Sequence, residues 1–372
     1  MTLPLITQKQ LPEFALWEKM EQKNACITFT LEITARCNNN CRHCYINLPA
    51  SDSFARQQEL SAEQILDIAD QAVRLGAVWC NITGGEPLLR PDFSEIYLGL
   101  KKKGLLVSVM TNATLITQDH VDLFLRYPPR DIEITVYGVT RETYEAVSQR
   151  PGSFDAFMRG LNLLSDAGVR VRLKAMAIRS NIHEIQKIAE FSRIRTKDYY
   201  RFDPFLHLRV DHDTARNDEI RKERLTPQEI VALEKSDDDR TKTLEKNCHD
   251  YIIPEFCQAA GNHIFFCGAG EGNFTISPEG MFRLCESLCH PDCVYDLKQG
   301  TVADAWQHFI PKVRAIQSDS KEYLSTCRVC PIINLCIWCP AHAALETGRL
   351  DGHVDYFCQV AHARAEALGY KK

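Results

Sequence analysis

The chain has 372 residues, 45% of them hydrophobic and 25% charged, with a formal net charge of -5, enough for one large globular domain or two ordinary ones. That balance lacks the basic surplus of a nucleic-acid surface. With no basic n-region at the start and no run of about 18 apolar residues anywhere, it also argues against a membrane span or signal peptide and predicts a cytoplasmic protein. Sixteen cysteines would suit a disulfide framework in a small secreted domain, but in a long chain with C-x2-C spacings they point to metal ligation.

In chain order, the first two hundred residues alternate β-rich runs with amphipathic helical patterns, the mark of βα units around a parallel sheet. Strands are predicted at 27–34, 77–82, 105–110, 131–136, 169–177 and 199–208, each near-continuously apolar or β-branched as in a strand covered on both faces. Between the first two, Ser61-x-x-Gln64 opens a helix that carries Ile65, Ile68, Ala72 and Leu75 on one stripe and stops at Gly76. Helices of the same kind follow strands two to five. Six sequential units are too few to close an eightfold barrel. The predicted fold is therefore α/β, a partial (β/α)6 TIM-like barrel with its site at the C-terminal ends of the strands.

The loop after the first strand carries Cys37-Asn-Asn-Asn-Cys41-Arg-His-Cys44. Three thiolates so spaced hold three corners of a four-iron cluster and leave one iron open to a ligand, whereas an electron-carrying cluster is closed by four cysteines. The loop after the second strand carries Thr83-Gly84-Gly85-Glu86-Pro87. Its glycines let backbone approach a ligand closely, and Glu86 offers an acceptor to a cationic group such as an amine. Taken alone, the same run reads as a turn ending a strand. Both motifs lie at the same mouth of the barrel.

Together these residues resemble the signature of the radical S-adenosylmethionine enzymes, C-x3-C-x-aromatic-C, matched by Cys37, Cys41, His43 and Cys44 and followed by Gly-Gly-Glu-Pro at 84–87. The resemblance covers roughly residues 27–208, and His43 stands where Tyr or Phe is commoner. It implies a cluster on the catalytic Cys37, Cys41 and Cys44 whose open iron chelates the methionine amino and carboxylate groups. A reducing electron then yields methionine and a 5′-deoxyadenosyl radical that takes a substrate hydrogen. It further implies that Gly84, Gly85 and Glu86 hold the methionine amino end and that His43 and Tyr45 lie against the adenine. Asn112, Thr135 and Asn181 are implied as ribose or carboxylate contacts, although Asn112 and Asn181 read equally well as turn and cap residues.

After residue 208 the runs at 211–217 and 235–240 form a charged, solvated bridge with one helix, Pro227 to Lys235, capped by Thr226. Beyond 260 come Cys267, Cys285, Cys289, Cys293, Cys327, Cys330, Cys336, Cys339 and Cys358 with little periodic sequence, so metal ligation is expected to substitute for a large core. A zinc ribbon is one reading of two C-x2-C pairs. The pattern also resembles the SPASM extension that carries auxiliary iron-sulfur clusters, with a two-residue gap at Ile337-Trp338 where three residues are usual. That resemblance implies Cys267, Cys285 and Cys339 at a first auxiliary cluster and Cys327, Cys330, Cys336 and Cys358 at a second. The cofactors implied are S-adenosylmethionine and three 4Fe-4S clusters. Cys289 or Cys293 could close the first auxiliary cluster, or it could stay open. Cys26, Cys80, Cys248 and Cys257 read as buried or free thiols. The expected domains are an N-terminal extension at 1–26, the barrel at 27–208, a linker at 209–260 and a small Cys-rich SPASM-type domain at 261–372.

Two auxiliary clusters favour an oxidative outcome, because a substrate radical must shed an electron to become a stable product. The resemblance thus implies an anaerobic oxidoreductase that modifies a side chain of a peptide or partner protein, with flavodoxin or ferredoxin as electron donor. With 36 residues before Cys37, too few for a fused peptide-recognition domain, a separate recognition protein or direct binding is expected. The alternative is a small-molecule enzyme of tetrapyrrole or cofactor biosynthesis, in which Arg172, Lys174, Arg179, Arg201 and His207 near strand ends meet carboxylates. A third class, a non-catalytic electron carrier, would need four ligands at every cluster, and the set Cys37, Cys41, Cys44 and Glu86 argues against it.

Overall fold

The computed structural model describes residues 25–196, 198, 200–246 and 261–370. The greater part of the expected N-terminal extension, Tyr199, the end of the expected linker, Cys248 and Cys257 lie outside the described residues.

Six strands, β1 (Thr28–Thr34), β2 (Trp79–Gly84), β3 (Leu106–Thr111), β4 (Asp131–Thr135), β5 (Val171–Met176) and β6 (Arg201–Asp203), pair in chain order and in parallel. The helix Ala62–Arg74 begins with a reciprocal cap, in which Ser61 Oγ accepts from Gln64 N–H (3.2 Å) and Gln64 Oε1 accepts from Ser61 N–H (2.9 Å). Its stripe of Ile65, Ile68, Ala69 and Ala72 is buried. β6 is much shorter than expected. Pro204 has no N–H to continue the ladder, and Asp203 Oδ1 accepts from Phe205 N–H (2.9 Å) to turn the chain out.

Three features depart from the sequence reading. First, β5 is not near-continuously apolar. Val171, Leu173 and Ala175 are buried while Arg172, Lys174 and Met176 alternate with them, half-buried, because the inner face of the barrel lines a cavity instead of a core. Second, the connector folds into three helices, Thr214–Glu223, Pro227–Lys235 and Asp238–Lys246. The second of these is pinned by a buried ion pair between Glu234 and Arg364 of the helix Asp355–Ala367. Third, the C-terminal region does have a core. Strand β7 (Asn273–Ile276) pairs in parallel with β1, and β8 (Met281–Arg283) and β9 (Val294–Asp296) follow antiparallel, giving the sheet order β9-β8-β7-β1-β2-β3-β4-β5-β6. Phe274 stacks between Phe29 (5.6 Å) and Phe282 (4.7 Å), which joins the core of this region to that of the barrel. Among the described residues no helix is long and apolar enough to cross a membrane.

Candidate active site

The loop from Cys37 to Cys44 leaves β1 at the C-terminal mouth and is held from both sides. Its Asn40 and Arg42 N–H groups donate to the Ser148 (2.9 Å) and Val147 (3.2 Å) carbonyls at the end of the helix Arg141–Ser148, which would otherwise lack partners. From the other side the buried Arg209 donates to Cys44 O (3.3 Å), Asn47 O (3.2 Å) and Asn47 Oδ1 (2.9 Å), while Arg216 donates to Cys41 O (3.2 Å) and Asn40 Oδ1 (2.6 Å). The charged run after residue 208 is therefore not a purely solvated bridge: Asp211 orients Arg209, and Asp213 caps the helix that carries Arg216.

Cys37, Cys41 and Cys44 all line a cavity of about 290 Å3, together with Asn39, His43, Tyr45, Gly84, Gly85, Asn112, Thr135, Tyr137 and His207. Cys37 Sγ accepts from Asn39 N–H (3.4 Å) and Asn112 Nδ2 (3.7 Å). Burial pushes the Cys41 thiol up to about 12 and Cys37 higher still, so these sulfurs ionise only against a strong local cation, as a metal provides. Burial also holds the His43 imidazole down at about 4, which keeps the ring neutral; its edge meets Tyr137 at 5.4 Å. Asn39 is 4% exposed with neither side-chain amide atom bonded, and His43 Nδ1 is likewise enclosed without a partner. Unsatisfied polar atoms beside three thiols fit a polar ligand seated on a cluster.

The glycine pair, which lines the cavity, also meets a demand that was not expected. A Cβ on Gly84 would stand 2.1 Å from Thr34 O, and one on Gly85 2.3 Å from Arg36 O. Gly85 N–H donates to Thr34 O (2.7 Å), and Glu86 N–H donates to Arg36 O (2.9 Å). The close approach is thus between the end of β2 and the start of the cysteine loop, and it brings both motifs to one cavity wall. The Glu86 carboxylate does not reach the cavity. It is fully buried and accepts from Thr111 Oγ1 (2.7 Å), Asn112 N–H (2.8 Å) and Leu88 N–H (3.1 Å), so it shapes the turn that presents Asn112. Asn181 is also removed from the cavity, since its amide bridges the Tyr137 (3.0 Å) and Met176 (2.9 Å) carbonyls and accepts from Ile178 N–H (3.0 Å). Both residues act through backbone.

Of the cations expected near strand ends, Arg172 turns to Asp131 (3.5 Å) and Arg179 pairs with Glu229 on the surface. Lys174 lines the cavity and binds Glu133. His207 also lines it, near Tyr45 (5.9 Å) and His342 (4.1 Å).

In the C-terminal region, Cys327, Cys330, Cys336 and Cys358 line one cavity of about 420 Å3 together with Trp338 and His362. Cys339 interacts electrostatically with Cys285 and Cys267, which brings those three thiols into one neighbourhood. The Sγ of Cys289 accepts from Arg283 Nη1 (2.8 Å), whose other nitrogen pairs with the buried Glu32. Cys293 is wholly buried in the apolar core, as are Cys26 and Cys80. Among the described residues no group of three or more His, Cys, Asp or Glu side chains is arranged to enclose a single metal ion.

A family model described as the radical SAM superfamily matches residues 31–192. The chain is 32% identical over 261 residues to the antilisterial bacteriocin subtilosin biosynthesis protein AlbA of Bacillus subtilis, an alignment that takes in 69% of this chain and 54% of that protein. It is 24% identical over 343 residues to the AdoMet-dependent heme synthase of Methanosarcina barkeri, covering 87% of this chain and 94% of that one. The chain thus spans about half the length of AlbA and nearly all of the heme synthase. Its fold is similar to that of Streptococcus suis SuiB bound to S-adenosylmethionine, with a TM-score of 0.66 at 14% identity over 96% of this chain and 83% of that one. By its motif, its barrel and these matches, residues 31–192 of the chain belong to the radical SAM superfamily.

Proposed function

We propose that the protein is a radical S-adenosylmethionine oxidoreductase that oxidatively modifies a side chain of a peptide or partner protein. The observation that carries this reading is that Cys37, Cys41 and Cys44 line one cavity together with Asn39 and His43, whose side-chain amide and ring Nδ1 are buried without partners. In this reading the three thiols hold a four-iron cluster, and Asn39, His43, Tyr45, Gly84, Gly85, Asn112 and Thr135 bound the space for S-adenosylmethionine. When bound, cluster and S-adenosylmethionine supply one-electron cleavage of a carbon–sulfur bond and, from it, hydrogen-atom abstraction. The chain supplies position and enclosure. Arg209 and Arg216 fix the carbonyls of the cysteine loop, Glu86 fixes the turn that presents Asn112, and Tyr137, Met176, Phe205 and Leu206 wall the cavity against water. Cys267, Cys285 and Cys339, and separately Cys327, Cys330, Cys336 and Cys358, would hold two auxiliary clusters, which when bound would supply a sink for the electron that a substrate radical gives up on becoming an oxidised product, with flavodoxin or ferredoxin as external donor to the cluster on Cys37, Cys41 and Cys44.

The match to a protein of bacteriocin biosynthesis supports a peptide substrate. The match along nearly the whole of a heme synthase supports a second reading, a carboxylate-bearing small molecule. The two are separated by giving the anaerobically reconstituted protein short peptides encoded beside its gene and, in parallel, an iron porphyrin carrying propionates, then weighing the products. A peptide lighter by a pair of hydrogens supports the first reading, and an unchanged peptide beside an altered porphyrin overturns it.

A further inference from the structure

We propose that a second chamber beside the candidate active site is a subsite for a carboxylate of the substrate, with Arg201 as the group that takes it; this rests on the enzymatic reading above. The chamber has a volume of about 510 Å3 and shares Lys174, Met176, Asp203 and Phe205 with the main cavity, so the two adjoin along the ends of β5 and β6. Its wall carries four cations, Lys174, Arg201, Arg240 and Arg364.

These cations share two carboxylates: Lys174 and Arg201 lie on Glu133, and Arg240 and Arg364 lie on Glu234. Asp203, the one acid among the described residues that lines the chamber, accepts from Phe205 N–H (2.9 Å). An excess of positive charge therefore faces the chamber, partly above apolar surface from Phe202, Phe205, Leu244 and Leu335, where an ion pair is stronger than in open water.

The four cations differ in freedom. Arg364 is held by Glu234 and by Leu335 O (3.0 Å) and lies over the Phe205 ring (4.7 Å). Arg240 is held by Glu234 (2.8 Å) and Phe202 O (3.1 Å) and lies over Phe202 (4.7 Å). Lys174 is bound tightly to Glu133. Arg201 is the loose member: its side chain is 55% exposed, and it reaches Glu133 through one nitrogen at 3.3 and 3.4 Å. Turning Arg201 to an incoming carboxylate leaves Glu133 still paired with Lys174, so no buried charge is stranded by the exchange. The guanidinium can then take the carboxylate through two parallel hydrogen bonds.

The test uses full-length, anaerobically reconstituted protein and fluorescein-labelled hexaglutamate, with binding read by fluorescence anisotropy. Arg201→Gln should weaken binding by about tenfold, the scale of one charge-assisted contact. Arg201→Lys should recover part of the loss. Arg141→Gln, which changes an exposed arginine paired with Asp155 elsewhere on the barrel, should bind as the wild type does. Competition with benzenehexacarboxylate distinguishes the sources: displacement of the peptide supports a subsite for carboxylates on any scaffold, and failure to displace supports one for peptide carboxylates. No binding by the wild type, or equal binding by the Arg201→Gln and Arg141→Gln variants, overturns the proposal. S-Adenosylmethionine cleavage is followed on the same wild-type sample. Cleavage without Arg201-dependent binding overturns the subsite alone, whereas Arg201-dependent binding without cleavage overturns the enzymatic reading beneath it.

Discussion

Replacing Arg209 with methionine should loosen the cysteine loop without touching a cysteine. Arg209 is 3% exposed, and its loss removes donors from Cys44 O, Asn47 O and Asn47 Oδ1. Arg216 still reaches Asn47 Oδ1 at 3.3 Å, so two buried carbonyls are left without this partner. At about 1–3 kcal/mol for each unsatisfied buried acceptor, the expected loss is about 3 kcal/mol. The abandoned Asp211 side chain is 42% exposed and adds little, since water replaces its partner. For a domain stable by about 5–15 kcal/mol, that is a large fraction. The assay is urea unfolding of the apo protein, followed by tryptophan fluorescence, together with iron content after reconstitution. Arg209→Met should lower both the unfolding midpoint and the bound iron. Arg209→Lys should fall between, because a point-like ammonium cannot span the carbonyls that the guanidinium fork reaches. An Arg209→Met protein with unchanged midpoint and full iron would refute the clamp.

Three further outcomes are expected. Gly85→Ala would force a methyl to 2.3 Å from Arg36 O, so the variant should show a lower thermal midpoint and reduced iron uptake; wild-type values for both would mean that the β2 end does not press on the cysteine loop. Cys336→Ser should lose iron from the C-terminal cavity while retaining more S-adenosylmethionine cleavage than product formation, as measured by chromatography and mass spectrometry; normal product yield would remove the electron-accepting role. Burial first, and Arg224 second, hold the His207 imidazole down at about 4, against about 6.5 in the unfolded chain. Between those values the unfolded state binds the extra proton, so stability present above pH 6.5 is lost as pH falls towards 4, by about 3 kcal/mol from this residue. His207→Phe should flatten that slope in urea unfolding at pH 7 and pH 4.5, and an equal slope in both proteins would contradict the assignment.

What could be read from the sequence was local. The spacing of Cys37, Cys41 and Cys44 and the cap at Ser61 each act within a few residues of chain, and the parallel order of six strands follows from alternating runs. What escaped was tertiary. Arg209 and Arg216 look like members of a solvated charge run until the fold brings them to the carbonyls of a loop more than 160 residues away. Glu86 and Asn181 occupy the expected motif positions, yet their side chains satisfy buried backbone donors and acceptors instead of facing the cavity. The pairing of β7 with β1 was hidden because a four-residue strand has too little pattern to stand out. One signal was available: the strict alternation Val171-Arg-Leu-Lys-Ala-Met176 marks a polar inner face, and it would have pointed to Lys174 and its neighbours as cavity residues.

The central claim is that Cys37, Cys41 and Cys44 serve radical chemistry on S-adenosylmethionine. The most direct test is time-dependent formation of 5′-deoxyadenosine and methionine by protein reconstituted anaerobically with iron and sulfide and supplied with a strong reductant, beside a Cys41→Ala variant. The account predicts both products from the wild type and neither from the variant. Equal formation by the two proteins, or none by a wild type that binds its full iron, would contradict it.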